Sequence, residues 1–490
     1  MDRTGRILAD LLRDISPLSV VGSTQVEIAD LSADSRRVGR KSLFVAVRGT
    51  KTDGHLYIPQ VIHAGASAVV CERLPDRCED GVTYVVVRDA SEALGWLASA
   101  FYGDPSQRLT LVGVTGTNGK TTTATLLYRL FMRLGFRSGL LSTVVNYVGD
   151  SPVEATHTTP DPISLNALLA RMADEGCSYC FMEVSSHSVV QHRIAGLQFA
   201  GAIFTNLTHD HLDFHGTFDA YLKAKKAFFD RLSPMAFALT NKDDKNGRVM
   251  VQNCKASLHT YALKSMADFR GRIVEPHFEG MLLQINGTEL WTHFIGEFNA
   301  YNLLAVYGAA SLLFPDREAI LTAMSMLFPV DGRFECVRSK EGVLAIVDYA
   351  HTPDAVENVL RAIHQLVDPQ GSRVIAVVGA GGDRDKSKRP EMARIAFRNS
   401  HQLILTSDNP RTESPAAILE DMAAGLSPNE RTQTLVISDR REAIRTACRL
   451  AQKGDVILVA GKGHENYQEV NGVRHHFSDK EELEIIFQAQ

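Results

Sequence analysis

The spacing of apolar and polar positions divides the chain into stretches with different periodicities. An apolar run from Leu109 to Val114 predicts a buried strand. After Gly119 the pattern turns helical, with Leu126, Leu127, Leu130, Phe131 and Leu134 on one face. Downstream, Leu140 to Val145, Tyr179 to Val184, Ala202 to Thr205 and Phe237 to Thr240 predict strands. Helices are expected between them at Ile163 to Glu175 and Phe218 to Arg231. That alternation predicts a parallel sheet with helices on both faces. Residues 250–297 break the rhythm: short alternating runs such as Met281 to Ile285, then the turn Asn286-Gly287, predict an inserted antiparallel hairpin region. Helical spacing returns at Asn299 to Leu313 and Arg317 to Leu327.

Before this segment, strands are expected at Ser42 to Val47 and Tyr84 to Val87, and Ala64 to Val70 runs from a helix end into another strand. The turn-rich stretch Phe101 to Ser106 marks a first boundary, and Asp331-Gly332-Arg333 a second. Beyond it a strand at Val343 to Tyr349 leads to a helix, Ala355 to Val367, capped by Thr352-Pro353-Asp354. Strands at Val374 to Val378, Leu403 to Thr406, Thr434 to Ile437 and Val456 to Ala460 follow. The expectation is an α/β chain of three domains, 1–103, 104–332 and 333–490. The first is a smaller α/β unit, the second a parallel-sheet domain with a phosphate loop, and the third a Rossmann-like, doubly wound domain.

Bulk composition adds limits. The 490 residues are 44% hydrophobic and 22% charged with a formal net charge of −5, which gives no reason to expect nucleic-acid or membrane partners. No apolar run approaches the ~18 residues of a spanning helix. The amphipathic start, MDRTGRILADLLRD, lacks a signal-peptide core. Seven scattered cysteines fit a reducing cytoplasm, and Cys177-x-x-Cys180 stands alone, as packing rather than a metal or redox motif.

Chemistry concentrates where strands end. Gly116-Thr117-Asn118-Gly119-Lys120-Thr121-Thr122 lies between a predicted strand and helix, the context in which glycines let backbone N–H groups close on phosphate oxygens. Lys120 supplies a point charge and Thr121 a hydroxyl for magnesium. Glu183-Val184-Ser185-Ser186-His187 puts a carboxylate at the next strand end, suited to a magnesium ligand. Asn206 through His215 is rich in histidine and aspartate without zinc spacing; one imidazole on magnesium or manganese near ATP suits it better. Tyr221-Leu222-Lys223-Ala224-Lys225-Lys226 reads as a solvated face or a phosphate-directed cation. Asn241-Lys242-Asp243-Asp244 imitates a guanine-reading signature, leaving a GTP-dependent switch as an alternative. In the third segment Asp348-Tyr349-Ala350-His351, Gly381-Gly382-Asp383-Arg384, Asp408-Asn409-Pro410-Arg411 and Gly461-Lys462-Gly463-His464-Glu465 all follow strands. Two arginines and Glu465 there suit a small zwitterion with extra carboxylates.

Taken in order, these motifs, with Asn299-x-x-Asn302 and Asp331-Gly332-Arg333, resemble the Mur ligase family, and within it the members that add the third residue of the peptidoglycan stem peptide. The resemblance implies an ATP-dependent amide ligase with UDP-binding, ATP-binding and amino-acid-binding domains in that order. Its expected reaction joins meso-diaminopimelate to UDP-N-acetylmuramoyl-L-alanyl-D-glutamate through an acyl phosphate, in the cytoplasm, by a monomer using ATP and Mg2+. By matching positions, Lys120, Glu183, His211 and Lys225 would be catalytic, and Thr121, Glu183, His211 and a carbamylated Lys225 would hold metal. Residues 116–122 would bind the nucleotide with Asn302, Arg333 and Asp348, and with Asn299 and His351 nearby. Ser35, His157, Thr158, Thr159, Ser185, Gln191 and Arg193 match positions for the UDP-muramoyl dipeptide. His157 stands where asparagine is common, and Thr50-Lys51-Thr52 departs from the family's forms. Arg384, Asp408, Asn409, Pro410, Arg411, Gly461 and Glu465 match diaminopimelate contacts. Arg411 is expected to select diaminopimelate over lysine, because only the former has a second carboxylate for it to grip. Lysine- or glutamate-adding siblings are the near alternative.

Overall fold

The computed structural model describes residues 5–49, 52–155, 157–208, 210, 212–367 and 371–489. Three main sheets follow one another along the chain. The first has five strands, in spatial order Ser19–Val21, Thr83–Val86, Ala68–Cys71, Ser42–Val45 and Asp30–Ser32, with only the first pairing antiparallel.

The second sheet has eleven strands. At its centre Thr110–Thr115 lies between Tyr179–Glu183 and Gly201–Phe204, parallel to both. The chain leaves this strand to one side and returns to the other, so a crevice opens at the carboxyl ends of the strands, where ligands bind in such folds. The helix Lys120–Arg133 covers one face; Leu126, Leu127, Leu130 and Phe131 are fully buried, as their spacing predicts. Against it packs Glu297–Leu313, whose long run of buried residues makes it a central core helix.

Two expectations need correction here. The run 140–145 is not one strand: Ser138–Leu141 and Val145–Val148 pair antiparallel across a turn. Ser142 makes the turn, its Oγ donating to the Val145 carbonyl. The antiparallel hairpin expected over 250–297 is present, but it occupies only the end of that region. Ser257–Ala262 and Phe269–His277 continue the main sheet in parallel, and only then do Gly280–Ile285 and Thr288–Thr292 fold back antiparallel.

The third sheet runs Glu335–Arg338, Leu344–Asp348, Val456–Ala460, Val374–Ala380, Gln402–Ser407 and Leu435–Val436, parallel except for the first strand. Its four middle strands are almost wholly buried, with helices on both faces. The strand expected at 434–437 shrinks to two residues at the sheet edge. Cys177 and Cys180 are buried and unlinked; burial raises both thiol pKa values. None of the described helices is long and apolar enough to cross a membrane.

Candidate functional site

Strand Thr110–Thr115 delivers the phosphate loop, and the helix begins at Lys120. The two loop glycines are required by space as well as conformation. Gly116 has φ 151°, and a Cβ there would fall 1.9 Å from Thr205 Oγ1. At Gly119, φ is 86° and a Cβ would meet Asn302 Oδ1 at 2.4 Å. Asn206 Oδ1 accepts the Asn118 N–H at 2.9 Å, and Thr205 Oγ1 donates to the Asn118 carbonyl at 2.6 Å. The Asn206 motif therefore shapes the loop from the neighbouring strand.

Four charged groups gather around this loop. Lys120 Nζ donates to the carbonyls of Gly116 (2.9 Å) and Thr117 (2.8 Å). Lys225, only 1% exposed on the helix Phe218–Asp230, donates to the same Gly116 carbonyl at 2.8 Å. Burial, then the neighbouring Lys120 charge, drive the Lys225 pKa well below that of an ordinary lysine. Glu183 is 1% exposed; its Oε1 accepts the Thr143 N–H at 2.7 Å, while Oε2 is buried without a hydrogen-bond partner among the described residues. Asp210, also buried, interacts with both Lys120 and Lys225. An unpartnered buried carboxylate oxygen costs free energy unless a cation or donor meets it. Glu183, at the end of the strand that pairs with the one leading into the phosphate loop, therefore fits a hard divalent ion. His211, Thr50 and Lys51 lie outside the described residues.

The second sheet faces the third across a cleft of about 280 Å³, lined by Asn118, Thr122, Asn302, Arg333, Asp348 and His351 among others. Side-chain contacts join its two sides. Asn118 Nδ2 donates to Asp354 Oδ2 at 2.9 Å, Arg333 Nη2 to Thr121 Oγ1 at 3.2 Å, and Lys388 pairs with Asp210 at 3.7 Å. Arg333 also lies over the Tyr349 ring at 4.4 Å. Asp348 accepts the Phe334 and Ala350 N–H groups, both at 2.7 Å, and burial raises its pKa to about 6. Asn302 donates to Asn299 Oδ1, and Asn299 to the Ile295 carbonyl. Asp210 belongs to the Asn206–His215 cluster, but its partner Lys388, distant in sequence, carried no motif signal.

Beside Glu183 a polar shelf collects most of the residues matched to the muramoyl dipeptide. Thr159 Oγ1 donates to the Glu183 carbonyl and accepts the Ser185 N–H. Arg193 donates to the Thr159 carbonyl at 2.7 Å and, through Nε and Nη2, to Gln191 Oε1. Thr158 accepts from Thr143, and His157 is adjacent in the chain. Ser35 belongs to the first sheet's unit, in the short helix Ser35–Arg37 capped by Asp34.

On the third sheet, Asp408, Asn409, Gly461 and Glu465 meet. Asn409 Nδ2 donates to Glu465 Oε2 at 2.7 Å, and the fully buried Lys462 donates to the same oxygen at 3.2 Å. Lys462 also bonds Asn409 Oδ1 and the Tyr467 carbonyl. Glu465, expected to face a small zwitterion, is thus already paired with a lysine of its own loop. Burial and the nearby Asp408 raise the Glu465 pKa. Arg411, with φ 52°, sends Nη1 to the Gly382 carbonyl at 2.6 Å, beside the exposed loop that carries Arg384. Pro410 covers Gly382: a Cβ there would lie 1.9 Å from the Pro410 carbonyl oxygen.

The Asn241-Lys242-Asp243-Asp244 stretch is consumed by structure. Asp244 accepts the Leu207 and Asn246 N–H groups, Asn241 donates to the Thr205 carbonyl, and Asp243 accepts from Leu263, Lys264, Ser265 and Tyr301. These residues buttress the cleft floor rather than presenting a base-reading edge.

A phosphate loop opposed by a second strand-end pocket rich in acid, amide and guanidinium groups defines a nucleotide-dependent α/β enzyme that brings two further reactants together. Known proteins sharpen that class. Three family models match: the Mur ligase family catalytic domain over residues 27–102, the Mur ligase middle domain over 114–310, and the Mur ligase glutamate ligase domain over 332–463. The chain is 59% identical over 481 residues to the UDP-N-acetylmuramoyl-L-alanyl-D-glutamate--2,6-diaminopimelate ligase of Bacteroides thetaiotaomicron, spanning 98% of this chain and 100% of the relative. To the protein of the same name from Clostridioides difficile it is 39% identical over 482 residues, 97% of this chain and 98% of that one. A solved structure of a 2,6-diaminopimelate ligase of that name matches with a TM-score of 0.69 and 32% identity, covering 98% and 99% of the two chains. MurF from Thermotoga maritima in complex with ADP shares the fold, with a TM-score of 0.61 and 19% identity over 94% of this chain and 97% of that one. The chain belongs to the Mur ligase family.

Proposed function

We propose that this chain is an ATP-dependent amide ligase that adds meso-diaminopimelate to UDP-N-acetylmuramoyl-L-alanyl-D-glutamate in peptidoglycan biosynthesis. The observation that carries the reading is the near-complete, 59% identical match to a diaminopimelate ligase. The site geometry agrees with it. The D-glutamate side-chain carboxylate attacks the γ-phosphorus of ATP, the bond to the bridging oxygen breaks, and ADP leaves. The amine of diaminopimelate then attacks the acyl carbon, phosphate departs, and the amine loses a proton. Lys120 and the amides of residues 116–122 hold the phosphates, so charge developing on the transferred group meets fixed donors. Asn302, Arg333 and Asp348 hold the rest of the nucleotide.

Glu183, the Thr121 hydroxyl, His211 and a carbamylated Lys225 would hold magnesium. Once bound, the ion would draw negative charge off the phosphoryl oxygens. A lysine with a depressed pKa presents the neutral amine that carbamylation needs. His157, Thr158, Thr159, Ser185, Gln191 and Arg193 seat the muramoyl dipeptide, and Ser35 its uridine side. Arg384, Asp408, Asn409, Pro410, Arg411, Gly461 and Glu465 seat diaminopimelate. We assign residues 1–103, 104–332 and 333–490 to the UDP-, ATP- and amino-acid-binding domains. A cytoplasmic monomer suits cysteines that are free among the described residues and a site assembled within one chain. Mass spectrometry of the product tests the reading. One diaminopimelate less one water added to the UDP-muramoyl dipeptide is expected, and no such product would refute it.

A further inference from the structure

Three strands that lead into the amino-acid pocket converge on one buried guanidinium. Arg440 opens the helix Arg440–Leu450 and is 1% exposed. Its Nε and Nη2 donate to the two carboxylate oxygens of Asp479, both at 2.7 Å, and neither side chain reaches solvent. Its other bonds run to the backbone: Nη1 to the Ser407 carbonyl at 3.2 Å, Nη2 to the Ala460 carbonyl at 3.0 Å. Those carbonyls immediately precede Asp408 and Gly461. On the strand between them, a Cβ at Gly379 would come within 3.0 Å of Arg440 Nη1. The absence of a side chain at Gly379 lets the guanidinium lie across the sheet.

Simple stability does not ask for this arrangement. A cation in the first turn of a helix opposes the helix dipole. A buried ion pair is often no better for stability than well-packed apolar residues of similar volume. Ala443, Ile444 and Ala447 of the same helix already supply apolar packing. What a guanidinium adds is direction: a planar fork can hold two carbonyls on separate strands while its other edge is locked by a carboxylate. Asp479 begins the last helix, Asp479–Ala489, so the lock is anchored outside the pocket.

We propose that Arg440, held by Asp479, is the positioning residue of the amino-acid pocket, fixing the Asp408–Arg411 turn relative to the Gly461–Glu465 loop. The proposal rests on reading that pocket as the diaminopimelate site. Arg440 touches no substrate; it acts through the backbone that carries Asp408, Asn409, Arg411 and Glu465.

Arg440→Lys and Asp479→Asn in the full chain test this, with steady-state kinetics for each substrate and a melting curve for each variant. Misplaced contacts should raise the KM for diaminopimelate roughly tenfold or more, while the KM for ATP stays within about twofold. The preference for diaminopimelate over lysine, as a ratio of kcat/KM values, should fall with it. Equal changes for all substrates, or a loss of rate that merely tracks the folded fraction, would overturn the proposal. Failure of both variants to fold would also overturn it, making the pair a determinant of the fold. If the unaltered chain forms no amide with diaminopimelate, the functional reading itself falls and takes this proposal with it.

Discussion

Lys120 and Lys225 point their ammonium groups at one acceptor, the Gly116 carbonyl oxygen, from 2.9 and 2.8 Å. Two cations on one oxygen repel, and Lys225 is buried, so its proton is held weakly. Conversion of Lys225 to a carbamate would turn that repulsion into attraction and supply a carboxylate to the metal. Lys225→Ala should therefore lose activity by about a hundredfold or more and regain part of it with millimolar formate or acetate. Steady-state rates with and without the added acid check this, and no recovery would count against carbamylation.

Glu183 offers a cleaner dissection, because its two oxygens have separate tasks. Gln can keep the carbonyl oxygen that accepts the Thr143 N–H, but it puts an amide group where Oε2 stands unpartnered. Glu183→Gln should leave the melting temperature nearly unchanged, raise the magnesium concentration needed for activity, and lower kcat by roughly a hundredfold or more. A fully active variant with the same magnesium requirement would remove Glu183 from the metal site.

The fold and the strand–loop–helix unit around residues 116–122 were legible because their signals are local. Strand, glycine loop, Lys120-Thr121 and helix lie within one short stretch, and burial of Leu126, Leu127, Leu130 and Phe131 follows from their spacing. What escaped the sequence was pairing at long range. Nothing local shows that Lys462 will bond Asn409, or that Lys388 will meet Asp210. Likewise, alternation at Met281 to Ile285 marks an antiparallel strand. It says nothing about Ser257–Ala262 joining the central sheet in parallel, which depends on partners elsewhere. The guanine-like Asn241 to Asp244 shows the converse: a correct local pattern spent on buttressing.

Arg411 combines a functional guanidinium with a left-handed backbone, φ 52°. Arg411→Ala keeps the strain and removes the group that would grip the distal carboxylate. Loss of a charge-assisted contact of about 2–3 kcal/mol should raise the KM for diaminopimelate roughly 30- to 150-fold. The KM for ATP should change little. Arg411→Gly should lose the same affinity yet be more stable than the alanine variant by about 1 kcal/mol, because glycine tolerates the backbone. Equal effects on diaminopimelate and ATP would sink the assignment.

Acid should loosen the cleft between the second and third sheets. Burial lowers the His351 pKa to about 4 and the His464 pKa to about 3, with Lys388 and Arg333 respectively adding to the effect. The unfolded chain takes up these protons near pH 6.5. Stability is therefore present above that pH and is lost as pH falls toward the folded values. Asp348 works the other way: its folded pKa of about 6 lies above the unfolded value, so ionisation costs stability as pH rises. Melting temperatures measured from pH 7 to pH 5 should fall. His351→Asn should flatten the trend, and Asp348→Asn should steepen it. An unchanged slope in both variants would contradict this account of the cleft.

The central claim is that one active site couples ATP cleavage to amide formation between a muramoyl dipeptide and diaminopimelate. Phosphate release from ATP by the purified chain, measured with each substrate omitted in turn and with lysine or glutamate replacing diaminopimelate, tests it most directly. Sustained release is expected only when ATP, the UDP-muramoyl dipeptide, diaminopimelate and Mg2+ are all present. Equal turnover with lysine, or release that continues without the dipeptide or with GTP in place of ATP, would contradict it.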